Sequence, residues 1–119
     1  MKQNFIHPPR WKLDLFTVLH NNLSLCYFKM RLFPHARNMC SMVLAHEPLN
    51  KKALIRRAHC WIETGRLEKA QEDIAKIDDY MADPELARLW NHCESERKKN
   101  NQREKLLAQS FFGGGGKKK

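Results

Sequence analysis

The residues best suited to binding chemistry are a lysine and an arginine four positions apart. Lys52 and Arg56 have the spacing of about one helical turn, so on a helix they project from the same face. A lysine supplies a point charge and an arginine a planar fork of donors, a pair that suits the carboxylates of an acidic peptide. A solvated basic helix start, with Arg57 beside them, explains the same residues. Spacing alone favours this second interpretation.

The sequence contains no arrangement typical of an enzyme. It has no nucleophile–base pair, metal-ligand cluster or phosphate-binding loop, so we predict no catalytic activity, no cofactor and no metal. The four cysteines lie 14, 20 and 33 residues apart without a Cys-x-x-Cys pair, which argues against zinc. The N-terminus lacks the apolar core of a secretion signal, and no apolar run approaches the roughly 20 residues of a membrane span. These features predict a cytoplasmic protein with reduced thiols and no membrane insertion. A nuclear location is also compatible with them.

The excess positive charge belongs to the end of the chain. The 119 residues carry 22 Lys and Arg against 13 Asp and Glu, a formal charge of +9. Eight basic residues and one acid between Arg97 and Lys119 account for +7 of it. Phe111 and Phe112 lie beyond the basic residues of this segment, whereas an RNA reader interleaves stacking aromatics with them. We therefore predict no specific nucleic-acid binding, only weak attraction that salt removes.

Apolar periodicity predicts an all-α fold. Strand-like alternation and Asn-Gly or Asp-Gly turns are absent, whereas apolar residues recur at helical spacing in five segments. Pro34 is expected just inside the second helix and Asn50 just before the third, which stops at Gly65. Pro84 opens a long fifth helix that extends to about residue 109.

A shift of 34 residues superposes the first helical pair on the second. Tyr27 then falls on Trp61, and Asn22 falls on Arg56. The period and the order of small and aromatic residues resemble the tetratricopeptide repeat, in which helical hairpins stack. Small residues such as Ser24 are expected to let paired helices approach closely, and Tyr27 and Trp61 are expected in the core between successive pairs. We predict a tetratricopeptide helical-hairpin stack of two repeats with a long C-terminal capping helix. Its parts are a flexible N-terminus (1–12), two repeats (13–50 and 51–82), the capping helix (83–112) and a Gly/Lys low-complexity tail (113–119).

A more specific resemblance comes from the segments NNLSLCYFKM, NKKALIRRAHCWIETG and REKLLAQSFF. In order and spacing they are similar to the C-terminal part of the large FK506-binding immunophilins, over residues 17–112. The resemblance implies a co-chaperone module that grips the acidic C-terminal Glu-Glu-Val-Asp tail of the ninety-kilodalton heat-shock chaperone through a carboxylate clamp. It also implies a calmodulin contact at the C-terminal helix.

The family's clamp carries over to Asn22, Lys52 and Arg56. Asn22 and Arg56 hold the same repeat position, so stacking is expected to place them side by side on the groove of the first helices. This repeat frame shifts the interpretation of Lys52 and Arg56 from a solvated helix start to a clamp. Asn21 adjoins Asn22, and either asparagine suits a polar position in the groove.

The sequence departs from the family at its beginning. The family's first repeat, which supplies two more clamp residues, and its isomerase domain have no counterpart here. A truncated product, a splice variant and a degenerate relative all explain this. With two repeats, the outer face of the first helix around Leu15, Phe16 and Leu19 is expected to stay exposed. The alternative function is therefore a structural scaffold that self-associates or docks another protein through this helix, independently of the clamp.

Overall fold

The structure is a computed structural model that describes residues 8–113, and in that range it consists of helices and turns without strands. The predicted all-α fold is confirmed. Residues 1–7 and 114–119, on which the predicted flexible N-terminus and Gly/Lys tail largely fall, lie outside the described part. The five α-helices of the described range are α1 (Arg10–Lys29), α2 (Phe33–His46), α3 (Lys51–Glu63), α4 (Leu67–Ala75) and α5 (Pro84–Ala108).

The chain divides into two compact units, and the first contains α1 to α4. Each helix packs on the next, and α1 also touches α3, which is the expected stack of helical hairpins. Small side chains at the crossings let the helices approach closely. The fully buried side chains of this unit include Ala36, Cys40, Val43, Leu54, Ala58 and Ile74.

The second unit, residues 79–119, consists in its described part of a short 3-10 turn (Tyr80–Ala82), α5 and a π-helical turn (Gln109–Gly113). Asp83 caps α5, because its carboxylate accepts hydrogen bonds from the N–H groups of Glu85 and Leu86. Pro84 lies in the first turn of α5, as predicted. The far end of the helix is solvated.

The repeat period extends to the turns between helices. Arg31 and Gly65, which are 34 residues apart, both adopt left-handed backbone conformations, with φ of 61° and 79°. In each turn the following N–H donates to the carbonyl five positions earlier, from Leu32 to Tyr27 (2.9 Å) and from Arg66 to Trp61 (2.7 Å). These are two copies of one helix-ending motif. Glycine adopts this conformation freely, whereas arginine does so at a steric cost.

Two aromatic predictions need correction. Phe16 does not belong to the outer face of α1, because its ring stacks on His20 (3.9 Å between centroids) and meets the edge of the His46 ring at 5.0 Å. Tyr27 and Trp61, expected in the core, are only half-buried. Because the two imidazole rings cover the Phe16 ring, Phe16 is less exposed than its apolar neighbours Leu15 and Leu19. The large exposed apolar residues of α1 are Trp11, Leu15, Val18, Leu19 and Leu23.

A polar network fixes the start of α3. Asn50 caps the helix by accepting a hydrogen bond from the Ala53 N–H at 3.0 Å. Its amide donates to Glu47, and the same carboxylate accepts a hydrogen bond from the Thr17 hydroxyl of α1. These hydrogen bonds, the one from Thr17 first, lower the pKa of Glu47. The network ties α1 to the turn that leads into α3.

Glu47 is expected to make folding sensitive to acid. Because its folded pKa lies below the unfolded one, its contribution is complete above about pH 5 and is lost as the pH falls through the folded pKa. Replacing Glu47 with Gln removes the titration, so the variant should lose less stability than wild type between neutral pH and about pH 4. Urea unfolding followed by circular dichroism measures this, with Glu72→Gln on the exposed side of α4 as control. Equal acid sensitivity in wild type and Glu47→Gln would contradict the assignment.

Candidate functional site: a groove between α1 and α3

A groove with a volume of about 290 Å³ lies between α1 and α3. It combines two basic side chains with an apolar lining, and α3 supplies both charges. This arrangement suits a peptide that presents carboxylates next to apolar side chains. The residues that line it are Leu25, Phe28, Lys52, Ile55, Arg56 and His59.

Arg56 is half-buried, and α1 holds one end of its guanidinium. Its Nη1 donates to the main-chain carbonyl of Asn21 at 3.1 Å and to the hydroxyl oxygen of Ser24 at 3.2 Å. Within the described residues, Nε and Nη2 have no hydrogen-bond partner. These two donors form one edge of the guanidinium plane, the edge that can bind a carboxylate bidentately.

The three predicted site residues differ in their positions. Lys52 and Arg56 are brought together, since both line the groove, and the Lys52 side chain is exposed. Asn22 is exposed on α1, three residues before the groove residue Leu25, and does not itself line the groove. The structure therefore brings the two charges together in one groove, and Asn22 is not among the residues that line it.

Arg57, the neighbour of Arg56, has a different environment. Its Nε and Nη2 bind the Asp73 carboxylate bidentately at 2.8 and 2.7 Å, and its Nη1 donates to Ser41 at 3.1 Å. The indole N–H of Trp61 donates to the same carboxylate at 3.1 Å. Hydrogen bonding to Asp73 raises the pKa of Arg57. Arg57 therefore joins α3 to α4 inside the repeat, and the basic helix start is not simply solvated.

Two residues at the site were not predicted to support a charge. Ser24 is completely buried, and its small size predicted only that the helices pack closely there. Asn21 is 8% exposed, and its side-chain Oδ1 has no hydrogen-bond partner in the described part of the chain. One feature of the sequence could have indicated this role. Ser24 carries a hydroxyl group at a repeat position where alanine or glycine is small enough for the helices to pack. The small size of Ser24 alone did not predict a hydrogen bond to Arg56.

The three buried thiols are poor nucleophiles at neutral pH. Burial raises the pKa of Cys40 and Cys93, and it raises that of Cys60 to about 12. All four cysteines are free, and Cys26 is the exposed one. Residues 8–113 contain no group of three His, Cys, Asp or Glu side chains placed to hold a metal ion. None of the helices in this range combines the length and apolar character that a membrane span requires.

The helical-hairpin stack corresponds to a known repeat family. The sequence model of the tetratricopeptide repeat family matches residues 20–91. That match covers more than half of the chain and spans α2, α3 and α4 completely. The chain belongs to the tetratricopeptide repeat family.

Individual relatives confirm the more specific resemblance to FK506-binding immunophilins. The chain is 33% identical over 69 residues to the peptidyl-prolyl cis-trans isomerase FKBP42 of Arabidopsis thaliana, a match covering 58% of this chain and 19% of the relative. It is 40% identical over 58 residues to the FK506-binding protein 59 of Drosophila melanogaster, covering 49% and 13%. Similarity to the human FK506-binding protein-like is 41% over 61 residues, covering 51% and 18%. The chain thus spans less than a fifth of the length of each of these relatives.

Proposed function

We propose that this chain is a non-catalytic protein-interaction module of the immunophilin co-chaperone type. Its ligand is the acidic C-terminal tail of a heat-shock chaperone, with the ninety-kilodalton class favoured, and its site is a partial carboxylate clamp of Asn22, Lys52 and Arg56. The observation that carries the proposal is that Lys52 and Arg56 line one groove while two donors of Arg56 have no partner among the described residues.

The chemistry of the groove supports an acidic peptide over other ligands. Lys52 and Arg56 concentrate positive charge on one wall of the groove. Leu25, Phe28 and Ile55 supply apolar surface beside these charges, which suits an aliphatic side chain next to the carboxylates. The similarity to FK506-binding proteins supports the same interpretation.

Removing the exposed lysine tests the electrostatic half of the clamp. We expect Lys52→Ala to weaken binding of a Glu-Glu-Val-Asp peptide about two- to fivefold, because an exposed ion pair contributes at most about 1 kcal/mol. The difference between wild type and variant should shrink as salt is raised, since salt screens exposed charges. Fluorescence anisotropy of a labelled peptide measures both effects.

The matched control is Lys51→Ala. It removes the same charge one position earlier on α3, from a side chain that does not line the groove. Lys51→Ala should leave the affinity close to that of wild type. An equal loss in the two variants would mean that only net charge matters, and it would remove Lys52 from the site.

The exposed face of α1 favours a second candidate, the scaffold that self-associates or docks a partner without using the clamp. Leu15, Val18, Leu19 and Leu23 follow one another at helical spacing, and Leu19 is 50% exposed. A stripe of this kind usually has a partner. Association through it would respond to Leu19→Asp and ignore Lys52→Ala, so analytical ultracentrifugation of these two variants separates the candidates.

The end of α5 supports calmodulin as a further proposed partner. Leu106 and Leu107 are exposed there, close to the basic residues Arg103 and Lys105. A basic helix with exposed apolar residues is a target type for calmodulin, whereas specific RNA recognition would need interleaved aromatics.

A further inference from the structure

We infer that Ser24 is a positioning residue for ligand binding: its hydroxyl, together with the Asn21 main-chain carbonyl, holds Nη1 of Arg56 so that the Nε and Nη2 donors stay available for one carboxylate. The inference rests on the proposed function of the groove. It adds two residues of α1 to the site and assigns them a role in geometry.

The hydrogen bonds at Arg56 define this role. Ser24 donates its hydroxyl proton to the Asn21 carbonyl at 2.6 Å, so its oxygen lone pairs are turned toward other donors. Nη1 of Arg56 then donates to the same carbonyl and to the Ser24 oxygen, at 3.1 and 3.2 Å. Two acceptors on one nitrogen restrict rotation of the guanidinium about its long side chain. The opposite edge keeps its two parallel donors.

Burial makes this support rigid. Ser24 is fully buried and Asn21 is 8% exposed, so water does not compete for their oxygens as it would at the surface. An arginine that is already oriented loses less side-chain entropy when a carboxylate binds. Ser24 also forms a hydrogen bond with Cys40, so its removal is expected to affect packing as well as Arg56.

The neighbouring arginine provides a matched control. Ser41 accepts a hydrogen bond from Nη1 of Arg57 at 3.1 Å, the same type of contact on the residue that does not line the groove. Ser24→Ala and Ser41→Ala therefore each remove one hydrogen bond between a serine and an arginine of α3. Only the first acts on the guanidinium that lines the groove.

The experiment titrates a Glu-Glu-Val-Asp peptide into the full chain and its variants. We expect Ser24→Ala to weaken binding about fivefold, the worth of one net hydrogen bond, and Ser41→Ala to leave it unchanged. In an Arg56→Lys background, Ser24→Ala should have no further effect, because lysine lacks the planar fork that Ser24 orients. Unchanged affinity in Ser24→Ala, or an additive double variant, would overturn the inference and leave the proposed function intact.

A second measurement needs neither the variant nor a bound peptide. Nitrogen-15 NMR of the wild-type chain should show hindered rotation of the Arg56 guanidinium, and free rotation would overturn the inference. Absence of peptide binding by wild type would instead defeat the proposed function, and with it the assignment of Ser24 to that function.

Discussion

Asp73→Ala is expected to cause the largest loss of stability among single substitutions in the first unit, about 3–5 kcal/mol. The Asp73 side chain is 3% exposed and the Arg57 side chain 19%, so removal of the carboxylate leaves a largely buried guanidinium without its counter-charge. The indole N–H of Trp61 loses its acceptor at the same time. Since small domains are stable by only about 5–15 kcal/mol, the variant should unfold at much lower urea concentration.

Glu72→Ala is the matched control for this prediction. It removes a carboxylate from the adjacent position of α4, where the side chain is exposed. Its effect should stay within about 0.5 kcal/mol of wild type. Urea unfolding monitored by circular dichroism compares the three proteins. If Asp73→Ala and Glu72→Ala unfold at the same midpoint, the buried ion pair does not stabilise the hairpin of α3 and α4.

The largest effect on binding is expected from Arg56→Ala. A charge-assisted bidentate contact contributes about 1.5–3 kcal/mol, so the dissociation constant for an acidic peptide should rise about ten- to hundredfold. This exceeds the expectation for Lys52, because Arg56 is half-buried and oriented by α1 whereas Lys52 is exposed. Arg56→Lys keeps the charge and should still lose most of this contact.

Arg66→Ala controls for the loss of an arginine charge. Arg66 is exposed in the turn before α4 and does not line the groove, so its removal should leave peptide affinity close to that of wild type. Circular dichroism of each variant shows whether the repeats remain folded. A folded Arg56→Ala chain that binds as well as Arg66→Ala would exclude Arg56 from the site.

The order and type of the helices were predictable because local chemistry determines them. Proline in the first turn of α2 and α5, the Asn50 cap and the left-handed Gly65 each act within a few residues along the chain. The 34-residue period also predicted that the helical hairpins stack, because equivalent positions in a repeat contact equivalent neighbours. The same period recurs in the backbone at Arg31, where arginine gave no signal of a left-handed turn.

The partners of individual charges were not predictable in the same way. Arg56 and Arg57 are adjacent in sequence, yet one lines the groove and the other binds a carboxylate sixteen residues away. Their difference depends on how α3 packs between its neighbours, which periodicity does not specify. For the same reason the sequence predicted only close helix packing at Ser24, and it predicted that Phe16 is exposed together with Leu15 and Leu19. The sequence predicted which residues form the candidate site, and the packing determines which side chains contact them.

The groove between α1 and α3 is proposed to bind the carboxylates of an acidic C-terminal peptide. Isothermal titration calorimetry of the full chain with a Glu-Glu-Val-Asp peptide at low salt tests it most directly, with the C-terminally amidated peptide as comparison. We expect saturable binding of one peptide per chain that weakens on amidation and with added salt. No detectable heat up to millimolar peptide, or equal binding of the free-acid and amidated forms, would contradict the proposed function.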